Sequence, residues 1–334
     1  MVGVDLRERA QAVLPPEVLA YYDGASGDGQ TADEATSAWR AHRLRPRVLR
    51  DVSSVDTRTS VGGVDLALPV LLGPCALHGL AHPDGERATV AGAVAGGSLP
   101  VVSARASVGL ADMDLPAGRW WQQLYVLRDR GLTREVAGQA RERGAAALVV
   151  TGDAPVLGRR RAGKETLAAD QRRAAPGVPD RPGAELADDV TLADAVGLAR
   201  DTGLPFWVKG VLRADDALLA VEAGAAGVVV SNHGGRQLDG AVATAHVLRE
   251  VAQAVGGRAG VLVDGGVRSG RDVVTALALG ADAVLLGRRR AGKETLAADQ
   301  RRAAPGVPDR PGAELADDVT LADAVGLARD TGLP

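Results

Sequence analysis

Aromatic residues are nearly absent from this chain: one phenylalanine, three tyrosines and four tryptophans make up 2 % of its 334 residues. A core without aromatic bulk has to be assembled from Ala, Val and Leu, and the 46 % of hydrophobic residues supplies enough for a globular fold. The single cysteine, Cys75, excludes an intrachain disulfide framework and any cysteine-based zinc site, so no metal is expected, and it fits a reducing compartment. Excess positive charge is missing as well. Lys and Arg number 39 against 42 Asp and Glu, a net charge of -3, so neither nucleic acid nor an anionic membrane surface is expected as a partner. No apolar run reaches the ~20 residues of a membrane span. The opening Met1–Gln11 is charged and has no apolar signal core, which leads to the expectation of a cytoplasmic protein. What the chain has in quantity is glycine, 43 residues, and that favours many short strands and turns.

From Leu66 onward, short apolar runs alternate with segments of helical period, the pattern of βα units in a parallel sheet. Eight runs stand out: Leu66–Leu72, Leu99–Val102, Trp120–Val126, Ala146–Val150, Pro205–Val208, Gly227–Val230, Gly260–Val263 and Ala283–Leu286. Between them, Val247, Leu248, Val251 and Val255 form one helical stripe and Leu192, Ala195, Val196 and Ala199 another. Thr191 with Asp194, and Ser269 with Asp272, have capping-box spacing. Eight strands with intervening helices predict a (β/α)8 TIM barrel, typically ~250 residues, with a doubly wound open sheet as the alternative. The expected organisation is a helical N-terminal extension over residues 1–65 and a barrel over 66–288, containing a long mobile loop at 159–189. In the extension, Leu14, Val18 and Leu19 are the apolar contacts, and Pro15 and Pro16 mark a helix start.

Self-comparison finds one block written twice. Leu157–Pro205 and Leu286–Pro334 are identical letter for letter. Solenoid repeats drift apart and carry atypical terminal copies, so an identical block at the chain end is not a repeat architecture. Residues 289–334 are therefore read as a tail copying 160–205, standing where an eighth outer helix belongs. Its helical stretch Thr320–Arg329 is expected to cover part of the seam between strands eight and one.

A barrel carries its active site at the C-terminal ends of its strands, and polar residues collect there. Thr151 and Asp153 follow the fourth run, Lys209 the fifth and Ser231–Arg236 the sixth. Asp264–Arg268 follow the seventh, and Gly287 and Arg288 the eighth. Bare glycines with arginines after strands seven and eight suit a phosphate, through exposed backbone N–H groups and bidentate guanidinium bonds. His233 is the acid/base candidate, since imidazole titrates near neutral pH and Asp153 is available to orient it. His42, His78, His82 and His246 lack a comparable polar neighbourhood. Lys209 is open to three readings: surface ammonium, Schiff-base amine or cation facing a developing anion.

The strings SNHGGRQLDG from Ser231, WVKGV from Trp207, DGGVRSGRDV from Asp264 and QLYV from Gln123, with YYDGASGD and HPDGE nearer the start, resemble the FMN-dependent α-hydroxy-acid oxidases and dehydrogenases. Glycolate oxidase, lactate oxidase and mandelate dehydrogenase belong to that family. The resemblance covers about Leu14 to Arg288. It implies an FMN cofactor and oxidation of a small (S)-2-hydroxy acid, such as lactate or glycolate, to the 2-oxo acid, with oxygen as acceptor. By the same resemblance His233 accepts the substrate proton, Asp153 pairs with the imidazolium, and Tyr125 lies near the reacting oxygen. Tyr21, Arg160 and Arg236 hold the substrate carboxylate. Lys209 stands at the flavin edge, with Gln123, Thr151, Ser103 and Ser231 as further contacts and Pro74, Cys75 and Ala76 passing the ring as backbone. Asp264, Gly265, Gly266, Arg268, Gly287 and Arg288 hold ribityl and phosphate, and a homo-oligomer is a possible assembly.

The chain also departs from the family pattern. Arg105 stands where many members carry an aromatic near the substrate, Cys75 where Thr is common, and Gln122 where an aromatic is frequent. Two other readings stay open on the residues alone: an FMN-barrel isomerase, and a truncated flavin binder without catalysis.

Overall fold

A computed structural model describes residues 6–159 and 182–287. The copied tail 289–334, with its docking helix, and most of the 159–189 segment lie outside the described residues. Three helices open the chain: α1 (Leu6–Val13), α2 (Pro16–Asp23) and α3 (Gln30–Ala41). Pro16 occupies the first turn of α2, where its missing N–H costs nothing. Leu14, Val18, Tyr21 and Tyr22 are buried together with Leu77, and Leu19 packs at their edge.

The apolar run Leu66–Leu72 is not one strand, as its composition suggested. Its first residue ends a hairpin, β1 (Thr59–Val61) and β2 (Val64–Leu66), and the barrel begins at β3 (Val70–Leu72). Pro69, with no N–H to give a ladder, stands at the break. The remaining strands are β4 (Leu99–Val102), β5 (Trp121–Leu124), β6 (Ala147–Thr151), β7 (Phe206–Val211), β8 (Gly227–Val230), β9 (Gly260–Val263) and β10 (Ala283–Leu286). With β3 they close into an eight-stranded parallel barrel, β10 pairing with β3 through Val284–Val70, Leu285–Leu71 and Leu286–Leu72.

Outer helices α4 (Gly85–Ala95), α5 (Arg130–Glu142), α6 (Leu192–Thr202), α7 (Ala214–Glu222), α8 (Thr244–Val255) and α9 (Gly270–Ala278) follow β3, β5, β6, β7, β8 and β9. The connection from β4 to β5 has only a 3₁₀ turn, Leu110–Asp112. Leu248, Val251 and Val255 of α8 are buried as the stripe predicts. On α6, Leu198 joins Ala195 inside, whereas Val196 is exposed, so the buried face is rotated from the expected one. Both capping boxes form, with Asp194 accepting from the Thr191 N–H at 2.9 Å and Asp272 from the Ser269 N–H at 3.0 Å. The end of the predicted mobile loop is held in place: Gly183, Glu185 and Ala187 exchange backbone hydrogen bonds with Asp129, Arg128 and Val126.

Alternation along each strand sorts the side chains. Val70, Val102, Leu148, Val150, Phe206, Val228, Val230, Val263 and Val284 face the helices, while Leu71, Leu99, Val101, Trp121, Val149, Trp207, Val229, Leu262 and Leu285 fill the interior. Trp121 and Trp207 stack with ring centroids 4.9 Å apart. The hairpin residues Val61, Val64 and Leu66 join the same interior cluster and stop the lower end of the barrel. The interior is therefore packed below and open to chemistry only at the C-terminal ends of the strands.

Candidate active site

Two residues beyond the last interior side chain of six of the eight barrel strands, the same inward direction carries a polar group. Val101 leads to Ser103, Trp121 to Gln123, Val149 to Thr151, Trp207 to Lys209, Val229 to Ser231 and Leu262 to Asp264. These six form two hydrogen-bonded groups, Ser103–Gln123–Thr151 and Ser231–Lys209–Asp264. Gln123 donates from Nε2 to the Thr151 hydroxyl at 2.9 Å and accepts at Oε1 from the Ser103 hydroxyl and the Ala104 N–H, each at 3.2 Å. Lys209 Nζ lies 2.7 Å from both the Ser231 hydroxyl and Asp264 Oδ2.

That geometry decides among the three readings of Lys209. Burial by itself lowers an ammonium pKa, but Asp264 and Asp153 outweigh it, and the group stays above its ordinary value. The side chain is only 5 % exposed and charged at neutral pH, so it is neither a surface ammonium nor a free amine poised for Schiff-base chemistry. A β-bulge separates Lys209 from Val211 in the pairing of β7 with β8. Its extra residue, Gly210, has φ 110° and passes so close to Asp153 that a Cβ there would come 2.5 Å from the carboxylate's own Cβ.

His233 follows β8 with φ 57°, a left-handed conformation more accessible to His than to most residues. Its Nδ1 sits 3.0 Å from Asp153 Oδ1. Burial pushes the imidazole pKa below its usual value, with Lys209 adding to the fall, while the hydrogen bond and charge of Asp153 pull the other way. Burial also opposes the charge on Asp153, but His233 and Lys209 prevail and hold its pKa below the ordinary carboxylate value. An ionised carboxylate only accepts, so Nδ1 carries the proton and Nε2 is left as the basic nitrogen.

Arg236 and Tyr21 are brought together. The guanidinium lies over the phenol ring, 5.4 Å from its centroid, and Nη1 donates to the carbonyls of Tyr21 and Gly24. Tyr125 follows β5, half-buried, beneath the guanidinium of Arg105 at 5.8 Å. Pro74, Cys75 and Ala76 form a half-buried turn after β3, and Gly265, Gly266 and Arg268 follow β9. Gly287 follows β10, and among the described residues nothing lies within 4 Å of where its Cβ would stand. Arg160 and Arg288 lie outside the described residues.

Several residues in these loops were not assigned a role by sequence. Asp239, inside the SNHGGRQLDG string, accepts from the N–H groups of Asp28, Gly29 and Thr31 and fastens the N-terminal extension to the barrel mouth. Gln237 bonds the carbonyl of Asp153 and the N–H of Gly158. Glu86, buried in α4, takes hydrogen bonds from the N–H groups of His78, Ser107 and Val108 and from the Ser107 hydroxyl. His78 therefore does have a polar neighbourhood, and its Nδ1 is 2.9 Å from the Thr89 hydroxyl. Only the HPDGE string, containing Glu86, offered a sequence signal for this cluster. Among the described residues no group of three His, Cys, Asp or Glu side chains is placed to hold a metal, and no helix is long and apolar enough to cross a membrane.

The sequence matches the family model of FMN-dependent dehydrogenases over residues 10–298. It is 41 % identical over 304 residues to a peroxisomal (S)-2-hydroxyacid oxidase of Arabidopsis thaliana, covering 86 % of this chain and 84 % of the relative. It is 39 % identical over 307 residues to an L-lactate oxidase of Nostoc sp., covering 85 % and 84 %. A crystal structure of mandelate oxidase superposes with a TM-score of 0.83 at 36 % identity, over 97 % of this chain and 93 % of that one.

Proposed function

This chain belongs to the FMN-dependent dehydrogenase family, and from that premise we propose that it oxidises a small (S)-2-hydroxy acid to the 2-oxo acid, with oxygen as the final acceptor. The relatives carrying the names (S)-2-hydroxyacid oxidase and L-lactate oxidase support the reaction class. The observation that carries the proposal is the His233–Asp153 pair, set beside a buried ammonium at the mouth of the barrel.

The residues fit FMN. Ser103, Gln123, Thr151 and Lys209 line the mouth with donors and acceptors, and the buried oxygens Asp264 Oδ1 and Asn232 Oδ1 have no hydrogen-bond partner among the described residues. Among the described residues Gly287 offers unshielded backbone for the phosphate end, with Asp264, Gly265, Gly266 and Arg268 following the neighbouring strand β9. FMN, when bound, supplies the acceptor for the two electrons released from the substrate carbon.

Nε2 of His233 takes the proton of the 2-hydroxyl group, and Asp153 stabilises the resulting imidazolium. Arg236, braced by the Tyr21 and Gly24 carbonyls, holds the substrate carboxylate. Tyr125 borders the reacting oxygen, and Lys209 keeps positive charge where negative charge accumulates. Oxygen, taking up two electrons and two protons, leaves as hydrogen peroxide. We place the protein in a reducing compartment, with the cytoplasm as its location, on the strength of its single cysteine.

The purified protein is expected to show a flavin absorption spectrum that bleaches when a 2-hydroxy acid is added anaerobically and returns when air is admitted. A bound flavin that no 2-hydroxy acid bleaches overturns the proposal.

A further inference from the structure

The mouth of the barrel holds one more cation than the oxidation of a simple 2-hydroxy acid uses. Asp153 is partnered with His233, and Asp264 with Lys209. The remaining cation, Arg105, has no carboxylate within ion-pairing distance among the described residues. Its guanidinium rests only against the Tyr125 ring, at 5.8 Å.

Arg105 is not a loose surface residue. Its N–H donates to the Ser103 hydroxyl at 3.1 Å, and its carbonyl accepts from the Leu77 N–H at 3.2 Å. Both contacts fix it to the two loops that follow β3 and β4. Glu86 locks the same loops from beneath through Ser107 and Val108. The residue itself is half-buried. A partly desolvated guanidinium on a fixed stretch of backbone, with no carboxylate partner among the described residues, is a preformed receptor for an anion. Its ring partner Tyr125 follows β5 two residues beyond the inward-facing Gln123, so the receptor faces the reacting centre rather than the outer wall.

We propose that Arg105 is a specificity-determining residue that selects 2-hydroxy acids carrying a second carboxylate, binding the distal group while Arg236 holds the proximal one. The inference rests on the hydroxy-acid reading above and narrows its substrate class. A 2-hydroxy diacid presents two carboxylates, and among the described residues the barrel mouth offers two arginines on separate loops, one after β4 and one after β8. A monocarboxylic substrate leaves Arg105 facing an alkyl chain, a poor exchange for its water.

The test compares 2-hydroxyglutarate and 2-hydroxysuccinate with 2-hydroxybutyrate on the FMN-loaded enzyme, by anaerobic flavin bleaching and by steady-state kcat/KM. The wild-type enzyme is expected to prefer a diacid. In Arg105→Gln the ratio of kcat/KM for diacid over 2-hydroxybutyrate is expected to fall by about tenfold to a hundredfold, the value of a charge-assisted hydrogen bond, chiefly through KM. Arg105→Lys should keep most of the preference. Binding of unreactive 2-oxoglutarate against 2-oxobutyrate, followed by flavin absorbance in the wild-type protein, gives a readout that needs neither turnover nor a variant. If 2-hydroxybutyrate bleaches the flavin at least as well as both diacids, or the ratio is the same in Arg105→Gln, the inference fails and the hydroxy-acid reading stands. If no hydroxy acid bleaches it, both fail.

Discussion

Nδ1 of His233 and Oδ1 of Asp153 meet at 3.0 Å across the ends of β6 and β8, two strands that are not neighbours in the barrel. The strand between them, β7, contributes Lys209 and the bulge at Gly210, over which the Asp153 carboxylate passes. Carboxylate, imidazole and buried ammonium thus come from three consecutive strands. The backbone irregularity in the middle strand allows the outer two to touch.

Replacing His233 with Gln removes the basic nitrogen while keeping a polar side chain of similar reach. Turnover with any 2-hydroxy acid should drop by about 10² to 10⁴-fold, the usual contribution of a general base. Flavin content should be retained. A variant oxidising substrate at the original rate would remove His233 from the reaction.

The pH profile follows from the depressed imidazole pKa. A base must be deprotonated to act, so kcat/KM should rise with pH through an apparent pKa below 6.5 and then level off. In Asp153→Asn, the hydrogen bond and negative charge that hold the imidazole pKa up are lost. The rising limb should move to still lower pH, and the plateau should fall because the productive tautomer is no longer enforced. A limb that moves to higher pH in this variant contradicts the assignment.

The barrel was legible because its strands are short and its runs alternate with capped helices. The polar row at the strand ends was legible too, since one step of two residues past Trp207, Val149 or Leu262 lands on Lys209, Thr151 or Asp264. What the sequence concealed has a common cause: it depends on contacts between segments far apart in the chain. Leu66 reads as the start of a strand because nothing local shows that it turns back to plug the barrel beside Trp121. Asp239 looks like a turn residue until Asp28, Gly29 and Thr31 are found pointing their N–H groups at it. His78 looks like an isolated core histidine because Glu86 and Thr89 approach it only when α4 folds back.

Glu86 is the test of how strongly the two loops of the mouth depend on that buried carboxylate. Glu86→Ala leaves the N–H groups of His78, Ser107 and Val108 without their acceptor, at a cost of about 3 kcal/mol or more. The melting temperature should fall by several degrees, and amide exchange should quicken at Ser107 and Val108 before it does in the barrel strands. Unaltered exchange there would mean that the loops are held by their other contacts.

Two glycines separate what the fold requires from what the cofactor requires. Gly266 has φ 80°, and a Cβ on it would stand 2.3 Å from the carbonyl oxygen of Ala35 in α3. The neighbouring carbonyl of Gly265 accepts from Trp39 Nε1 at 2.8 Å, so α3 cannot back away without breaking that bond. Gly266→Ala combines a strained backbone with overpacking against main-chain atoms, and should destabilise even the flavin-free protein by about 2–5 kcal/mol. Gly287 is the opposite case. Its φ is ordinary and open space surrounds its Cβ direction, so Gly287→Ala should leave the melting temperature of the flavin-free protein unchanged. If its backbone is where the FMN phosphate approaches, the added methyl group should weaken FMN binding, read by titrating the flavin-free protein with FMN. Equal FMN affinity in Gly287→Ala would shift the phosphate away from the end of β10 and towards Gly265 and Arg268.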